Sequence, residues 1–310
     1  MENATRNSRQ EEPQILTTQF FRIQLAITST SFFLDMLISL PLLCTIAKRK
    51  ELSCQLKYIL LVHLLISGGL LLFIMAMYSF IRVSCSAVSA TVMCLLYLAF
   101  MEGSIVVQVC VIATIAVDRC VAIRWPLRYE AIFSSRVKKA IVISIWTFAC
   151  LLSMTGFIVA VFVVDTGISI KDCNLHILTY KQIVPVGLKI TATLFEIVLI
   201  PGSLLCIICC FVVICCDIRY SKTASLRTSH ARVTILLQGL HVTLYFVPLL
   251  GNAYLYSCVK WKDTFQLINL ALASLGLCMV PLIYGYRSQA LQLRLWHRLP
   301  TFHYKIWPRI

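Results

Sequence analysis

Charge is what this sequence has least of. Only 13% of its 310 residues are Asp, Glu, Lys or Arg, about half the roughly 25% usual in soluble domains. That shortage excludes a water-soluble chain with an ordinary charged surface. The short patterns behind most enzyme and nucleic-acid chemistry are missing too. There is no Ser/His/Asp order with a nucleophile elbow, no paired His-Glu metal motif, no Gly-rich phosphate loop and no basic-aromatic module. His63, His176, His241 and His297 are scattered along the chain at different depths. No catalysis, metal, cofactor or nucleic-acid partner is expected. Segments of roughly ten residues with alternating polarity, the mark of a membrane barrel, do not occur. No internal repeat of the kind common in transporters is found either.

Long apolar runs stand in place of these features. Apolar residues make up 59% of the chain, and the mean hydropathy is +0.86. A hydrocarbon core about 30 Å thick needs about 20 apolar residues per spanning helix. Seven stretches meet that need, at residues 23–47, 58–81, 90–121, 140–164, 183–216, 233–256 and 265–286. In lipid only helices and closed barrels satisfy every backbone polar group. The expected fold is therefore an all-α membrane protein, a seven-transmembrane helix bundle with a short C-terminal amphipathic helix. Residues 1–22 form an outer tail, 23–286 the bundle, and 287–310 the amphipathic helix and cytoplasmic tail.

The net charge of +15 is distributed in a way that explains it. Lys48, Arg49, Lys50 and Lys57 lie between the first two stretches; Arg124, Arg128, Arg136, Lys138 and Lys139 lie between the third and fourth. Arg219, Lys222, Arg227 and Arg232 lie between the fifth and sixth, and Arg287, Arg294, Arg298, Lys305 and Arg309 follow the seventh. All four sets fall on one side of the bundle, which the positive-inside rule makes cytoplasmic, with the N-terminus outside. Attraction to anionic lipid heads accounts for most of these charges. The polar stretch 1–19 has no apolar core and is not a cleaved signal peptide; the first helix serves as signal anchor. Asn3, in Asn3-Ala4-Thr5, is a glycosylation acceptor on the expected outer side.

Fifteen cysteines sort by depth. Those inside apolar runs, such as Cys206, Cys209 and Cys210, act as small hydrophobes; Cys215 and Cys216 share that reading, with acylation at the inner boundary as the alternative. Cys94 precedes Arg119 by 25 residues, roughly 37 Å of helix, which puts its thiol at the outer face. Cys173 lies in the outer link between the fourth and fifth stretches, and both are then in an oxidising compartment. Cys85 and Cys258 fall on the same side.

The segment from Ala113 to Tyr129, ATIAVDRCVAIRWPLRY, sets Asp118 and Arg119 at the inner end of an apolar run. Charges there are costly unless they face protein or water. The motif resembles the end of the third helix in rhodopsin-like (class A) G-protein-coupled receptors, and Pro126-Leu127-Arg128-Tyr129 narrows the likeness to odorant receptors. Trp146, Ser229-His230 followed by Gln238-Gly239, and Pro281-Leu282-Ile283-Tyr284 followed by Arg287-Ser288 resemble further marks of that family in the same order. Departures are Cys120 and Gln238 for tyrosines, Val280 for an asparagine, and Gly68-Gly69 where the second helix carries an aspartate. The first helix lacks the Gly-Asn pair and offers Asp35, either as part of a substitute polar network or as a protonated, neutral acid. A sodium site built on the second-helix aspartate is not expected. The chain is most similar to the divergent, fish-type odorant receptors.

The resemblance implies a switch built on Asp118, Arg119, Pro281 and Tyr284, with the arginine held near its aspartate at rest. It also implies a Cys94–Cys173 bridge and a small-molecule odorant bound in the outer half of the bundle. The residues expected there are Met101, Glu102, Ile105, Glu196, Gln238, His241, Tyr245 and Asn269. Met101 stands where amine receptors carry an aspartate, so an amine ligand fits less well. Glu102 and Glu196 either face the cavity or pack against other helices. The implied partners are the odorant, membrane lipids and a heterotrimeric G protein of the stimulatory, olfactory kind that raises cyclic AMP. The implied location is the plasma membrane, with the N-terminus extracellular and the C-terminus cytoplasmic. A non-olfactory orphan receptor of the same fold is the near alternative, and a small-molecule transporter a more distant one.

Overall fold

A computed structural model of the chain describes residues 2–84, 90–165, 198–220, 225–252 and 261–286. The described residues are all helical or in links between helices. Seven long helices follow in order: α1 (Glu2–Ala47), α2 (Leu56–Ser84), α3 (Ala90–Arg124), α4 (Ser135–Asp165), α5 (Ile200–Tyr220), α6 (Ser225–Leu250) and α7 (Lys262–Val280). Six carry a segment long and apolar enough to cross a bilayer, and α6 contributes the shorter apolar segment Leu236–Leu250. Together they form the seven-helix membrane bundle that the sequence leads one to expect.

The outer helices are apolar on nearly every face, yet protein covers only part of each, whereas α3 is enclosed by its neighbours on most sides. On α2, Leu56, Leu60, Leu64, Gly68 and Leu71 are buried, while Ile66, Leu70, Phe73, Met77 and Phe80 are exposed at helical spacing. Bulky apolar side chains on an outer face are at home only against lipid. On α1, Phe33, Leu37 and Leu40 form a similar stripe. The helices close a ring: α1 packs on α2 and α7, α2 on α3, α3 on α4 and α5, α5 on α6, and α6 on α7. At its centre α3 buries Val106, Val107, Val109, Val111, Ile112, Ile115 and Ala116.

Helix ends follow local chemistry. α3 runs to Arg124 and stops where Trp125 precedes Pro126, because the proline ring disfavours α geometry in the residue before it; Trp125 leaves the helix at φ −129° and ψ 61°. Past Val280 the chain continues as a π-helical turn, Pro281–Tyr286, since Pro281 lacks the N–H that the regular ladder requires. Pro248 lies inside α6 and leaves the Leu244 carbonyl without its ordinary helical donor. Gly276 of α7 sits against this carbonyl, where a Cβ would come within 3.4 Å of it. Residues 2–22, expected as an outer tail, are helical and continuous with α1, since adding a turn to an existing helix costs far less than starting one. The C-terminal amphipathic helix expected over 287–310 lies outside the described residues.

Candidate functional site

Three successive residues of α3 meet three different surroundings, because each step along a helix turns the side chain by about 100°. Asp118, buried at 3% exposure, accepts a 2.6 Å hydrogen bond from the Tyr129 hydroxyl in the link to α4. Burial, then the Asp118 carboxylate, pushes the Tyr129 phenol above its usual range, so it stays an O–H donor. Cys120 turns the other way and meets Cys210 of α5. Between them, Arg119 forms no ion pair among the described residues, and its Nε is buried without a hydrogen-bond partner. The aspartate thus takes its hydrogen bond from Tyr129, with Arg119 near enough to act on it electrostatically.

A second cation completes this end. Lys138, on the first turn of α4 and almost fully buried, donates from Nζ to the Cys54 carbonyl at 3.2 Å and lies 3.7 Å from Glu130. Lys138, Lys57 and Arg119 all bear electrostatically on Asp118. The link between α1 and α2, the link between α3 and α4, and the start of α4 therefore meet at one lysine. In the sequence Lys138 is one of the orienting charges and Tyr129 carries no role of its own. Helical phase offers a signal for Lys138, since it precedes Ile145 and Ala149 on the buried face of α4 by seven and eleven residues.

Farther along α3 the frame is tied by single polar bonds. Gln108 donates to the Ser67 carbonyl of α2 at 3.3 Å, Trp146 of α4 to His63 of α2 at 3.2 Å, and Ser153 of α4 to the Ala99 carbonyl at 2.6 Å. Gly103 lets α4 come that close, since a Cβ there would meet Ser153 at 3.4 Å. Asp35 of α1 is buried, accepts a bond from Ser39, and points its other oxygen at Gly69, whose absent Cβ would lie 3.5 Å away. The missing Cβ leaves room above all for the Met36 methyl of α1, which would lie 2.6 Å from it, with the carboxylate in ordinary contact beside it. Cys278 of α7 bonds the Ser31 carbonyl of α1 nearby.

The expected ligand residues do not all gather at one level. Glu102 is buried on α3, with Met101 and Ile105 partly buried beside it. Asn269 of α7 donates to Asn252, just past α6, at 2.9 Å, and Gly251 gives it room. Tyr245 lies beside Cys110, nine residues from Arg119 or roughly 13 Å along α3. Gln238 is seven residues nearer the Arg119 end of α6, roughly 10 Å further, and so shares the level of Arg119 rather than that of Glu102. His241 is buried between them. Gln238 Nε2 and Tyr245 Oη have no hydrogen-bond partner among the described residues. Cys94 is buried at the opposite end of α3 and is disulfide-bonded. Cys173 and Glu196 lie outside the described residues. Asn3 lies in the first turn of α1, and Tyr284 in the π turn after Pro281.

The family description "7 transmembrane receptor (rhodopsin family)" matches residues 39–284. The chain belongs to that family. It is a G-protein-coupled receptor, a membrane signalling protein; members of this family are receptors rather than enzymes, and the family implies a ligand and coupling to a G protein. The family implies the plasma membrane as its location. A search of curated proteins finds no match.

Proposed function

We propose that this receptor is of the odorant type and couples a small molecule, bound between α3, α6 and α7 near the Cys94 end, to a stimulatory G protein and cyclic AMP. In this reading the Arg119 end faces the cytoplasm and Asn3 faces outward as a glycan acceptor, as the four basic sets favour. The disulfide of Cys94 runs to Cys173 and ties the outer link across the bundle mouth. Met101, Glu102, Ile105, His241, Tyr245 and Asn269, with Glu196, are the ligand residues. Gln238, at the level of Arg119, responds to α6 movement rather than touching the ligand. Pro281 and Tyr284 shape the end of α7 beside the switch.

The observation that carries this reading is the division of labour at the end of α3. Asp118 is bound by Tyr129, while Arg119 keeps a buried Nε with no partner among the described residues at the level where α6 carries Gln238. A ligand that binds better to an arrangement with α6 displaced shifts the population toward it and opens Arg119 to the G protein. The odorant assignment is supported by Pro126-Leu127-Arg128-Tyr129 and Ser229-His230.

The test is cyclic AMP in cells that express the chain with an olfactory-type G protein, screened with water-soluble odorants beside Arg119→Ala at matched surface level. A response in the parent that falls at least tenfold in the variant is expected. Surface-displayed parent with no cyclic AMP response, but with responses through another G protein, would overturn the odorant assignment and leave the receptor standing.

A further inference from the structure

The geometry points to Cys215 and Cys216 as a site of S-acylation by a long-chain fatty acyl group. On α5, Leu205, Ile208, Cys209, Val212, Cys215 and Cys216 are exposed, whereas Ile200, Ile207 and Ile214 are buried at seven-residue intervals. The exposed set falls at three- and four-residue spacing, so it forms one lipid-facing stripe. The two thiols are its last members before Asp217, where the apolar segment Ile200–Asp217 ends.

Depth can be read against α3. Cys210 meets Cys120, and Cys215 and Cys216 lie five and six residues further toward the same end, roughly 8 Å beyond. α3 itself continues four residues past Cys120 to Arg124, whose guanidinium lies 5.6 Å from the ring of the half-exposed Trp125. An arginine and tryptophan together at a helix end mark the headgroup level. Cys215 and Cys216 therefore stand at that level with their thiols toward lipid. A reactive thioester in the aqueous phase can reach them, and the product chain can lie back along Val212 and Ile208. Neighbouring thiols satisfy half of this arrangement. Cys44 is exposed on α1 but lies a full turn short of the first charge, Lys48. Cys54 is exposed in the link to α2, with no apolar stripe beneath it. Cys209 is on the stripe but nearly two turns inside the hydrocarbon.

In the reaction the cysteine Sγ, as thiolate, attacks the carbonyl carbon of a long-chain fatty acyl thioester of coenzyme A. The new C–S bond replaces the one to coenzyme A, which leaves as its thiolate and takes up the proton that the cysteine released. The attached chain pins the end of α5 to the membrane close to where α6 begins, at Ser225. Acylation thereby restrains the α5–α6 link on the side where the receptor is proposed to meet its G protein.

This inference rests on the reading that the Arg119 end faces the cytoplasm, where acyl-coenzyme A is found. The experiment uses the full chain in cells, with hydroxylamine-dependent exchange of thioesters for a mass tag, and a C-terminal epitope stained before and after permeabilisation. The expected result is a hydroxylamine-dependent mass step in the parent that is lost in Cys215→Ser/Cys216→Ser and kept in Cys44→Ser and Cys54→Ser. Single variants at 215 and 216 serve if the double variant does not reach the surface. A parent without the step, or a step that survives both cysteine changes, overturns the site. If the epitope is then hidden until permeabilisation, acylation falls alone; if it stains on intact cells, the orientation falls with it.

Discussion

The two sides of α3 are built differently. Toward α2 and α4 the bundle is stitched: Gln108 to Ser67, Trp146 to His63, Ser153 to Ala99 and Lys138 to Cys54 cross between elements at intervals along the helix. Toward α6 the buried polar atoms Gln238 Nε2 and Tyr245 Oη have no partner among the described residues, and α6 is tied to α7 near its far tip through Asn252 and Asn269. A buried donor without an acceptor raises the free energy of the arrangement that holds it by about 1–3 kcal/mol. The stitched side is a frame held by these four bonds, with an orphan atom of its own in Gln108 Oε1, and α6 is an arm with two such atoms among the described residues. Such a division suits a receptor, since a ligand needs to supply only a few kcal/mol of differential affinity to shift a two-state balance.

The comparison is broken most severely at the frame. Lys138→Met removes the bond to the Cys54 carbonyl and the buried end of the Glu130 pair. We expect a loss of about 2 kcal/mol, read as a lower melting temperature of the purified receptor and reduced surface display. Lys138→Arg should recover much of both; an unchanged melting temperature in Lys138→Met would show that the frame does not depend on this lysine. Tyr129→Phe comes next. Without its hydroxyl the Asp118 carboxylate is free to draw in Arg119, at a shift of about 1.5 kcal/mol for a charged hydrogen bond. Basal and ligand-driven cyclic AMP should fall about tenfold at equal surface level. A rise in basal signalling would mean that Tyr129 restrains the switch instead.

The seven spans were legible in the sequence because bilayer thickness sets a length that hydropathy can measure. Their ends were less so: α3 and α4 extend past the apolar runs, to Arg124 and back to Ser135, because polar residues continue a helix into water at little cost. Depth along a single helix was readable from residue count, which placed Cys94 and Arg119 at opposite ends of α3. Relations between helices were not. Gln238, His241 and Tyr245 recur at spacings of three and four on one face of α6, and all three are buried, but a shared face says nothing of the rise that sets Gln238 at Arg119's level. Asp35 opposite Gly69, and Asp118 bound to Tyr129, depend on helix rotation and on the path of a link. No local pattern records either.

Two smaller perturbations sharpen the contrast by acting on the arm. Gln238→Leu exchanges an amide with an unpartnered donor for an apolar group of similar size. On the arm such a change should stabilise the resting arrangement by about 1 kcal/mol, the opposite sign to any loss from the frame. The melting temperature should rise while basal cyclic AMP falls several-fold; a lower melting temperature would mean that the amide has found a partner and that α6 is held as firmly as α4.

Asn269→Ala should have the smallest effect. It removes a neutral side-chain bond of 2.9 Å at the far tip of α6, worth about 1 kcal/mol or less, and leaves Asn252 partly exposed to find another partner. Melting should hardly move. The ligand concentration for half-response should change a few-fold while the maximal response stays constant, because Asn269 lines the proposed ligand site and holds the arm's tip and does not bear on how Arg119 meets its partner. A loss of maximal response with unchanged potency would instead place the Asn252–Asn269 pair within the frame. The boundary between frame and arm would then run along α6 itself, near Pro248, where the missing backbone donor already divides the helix.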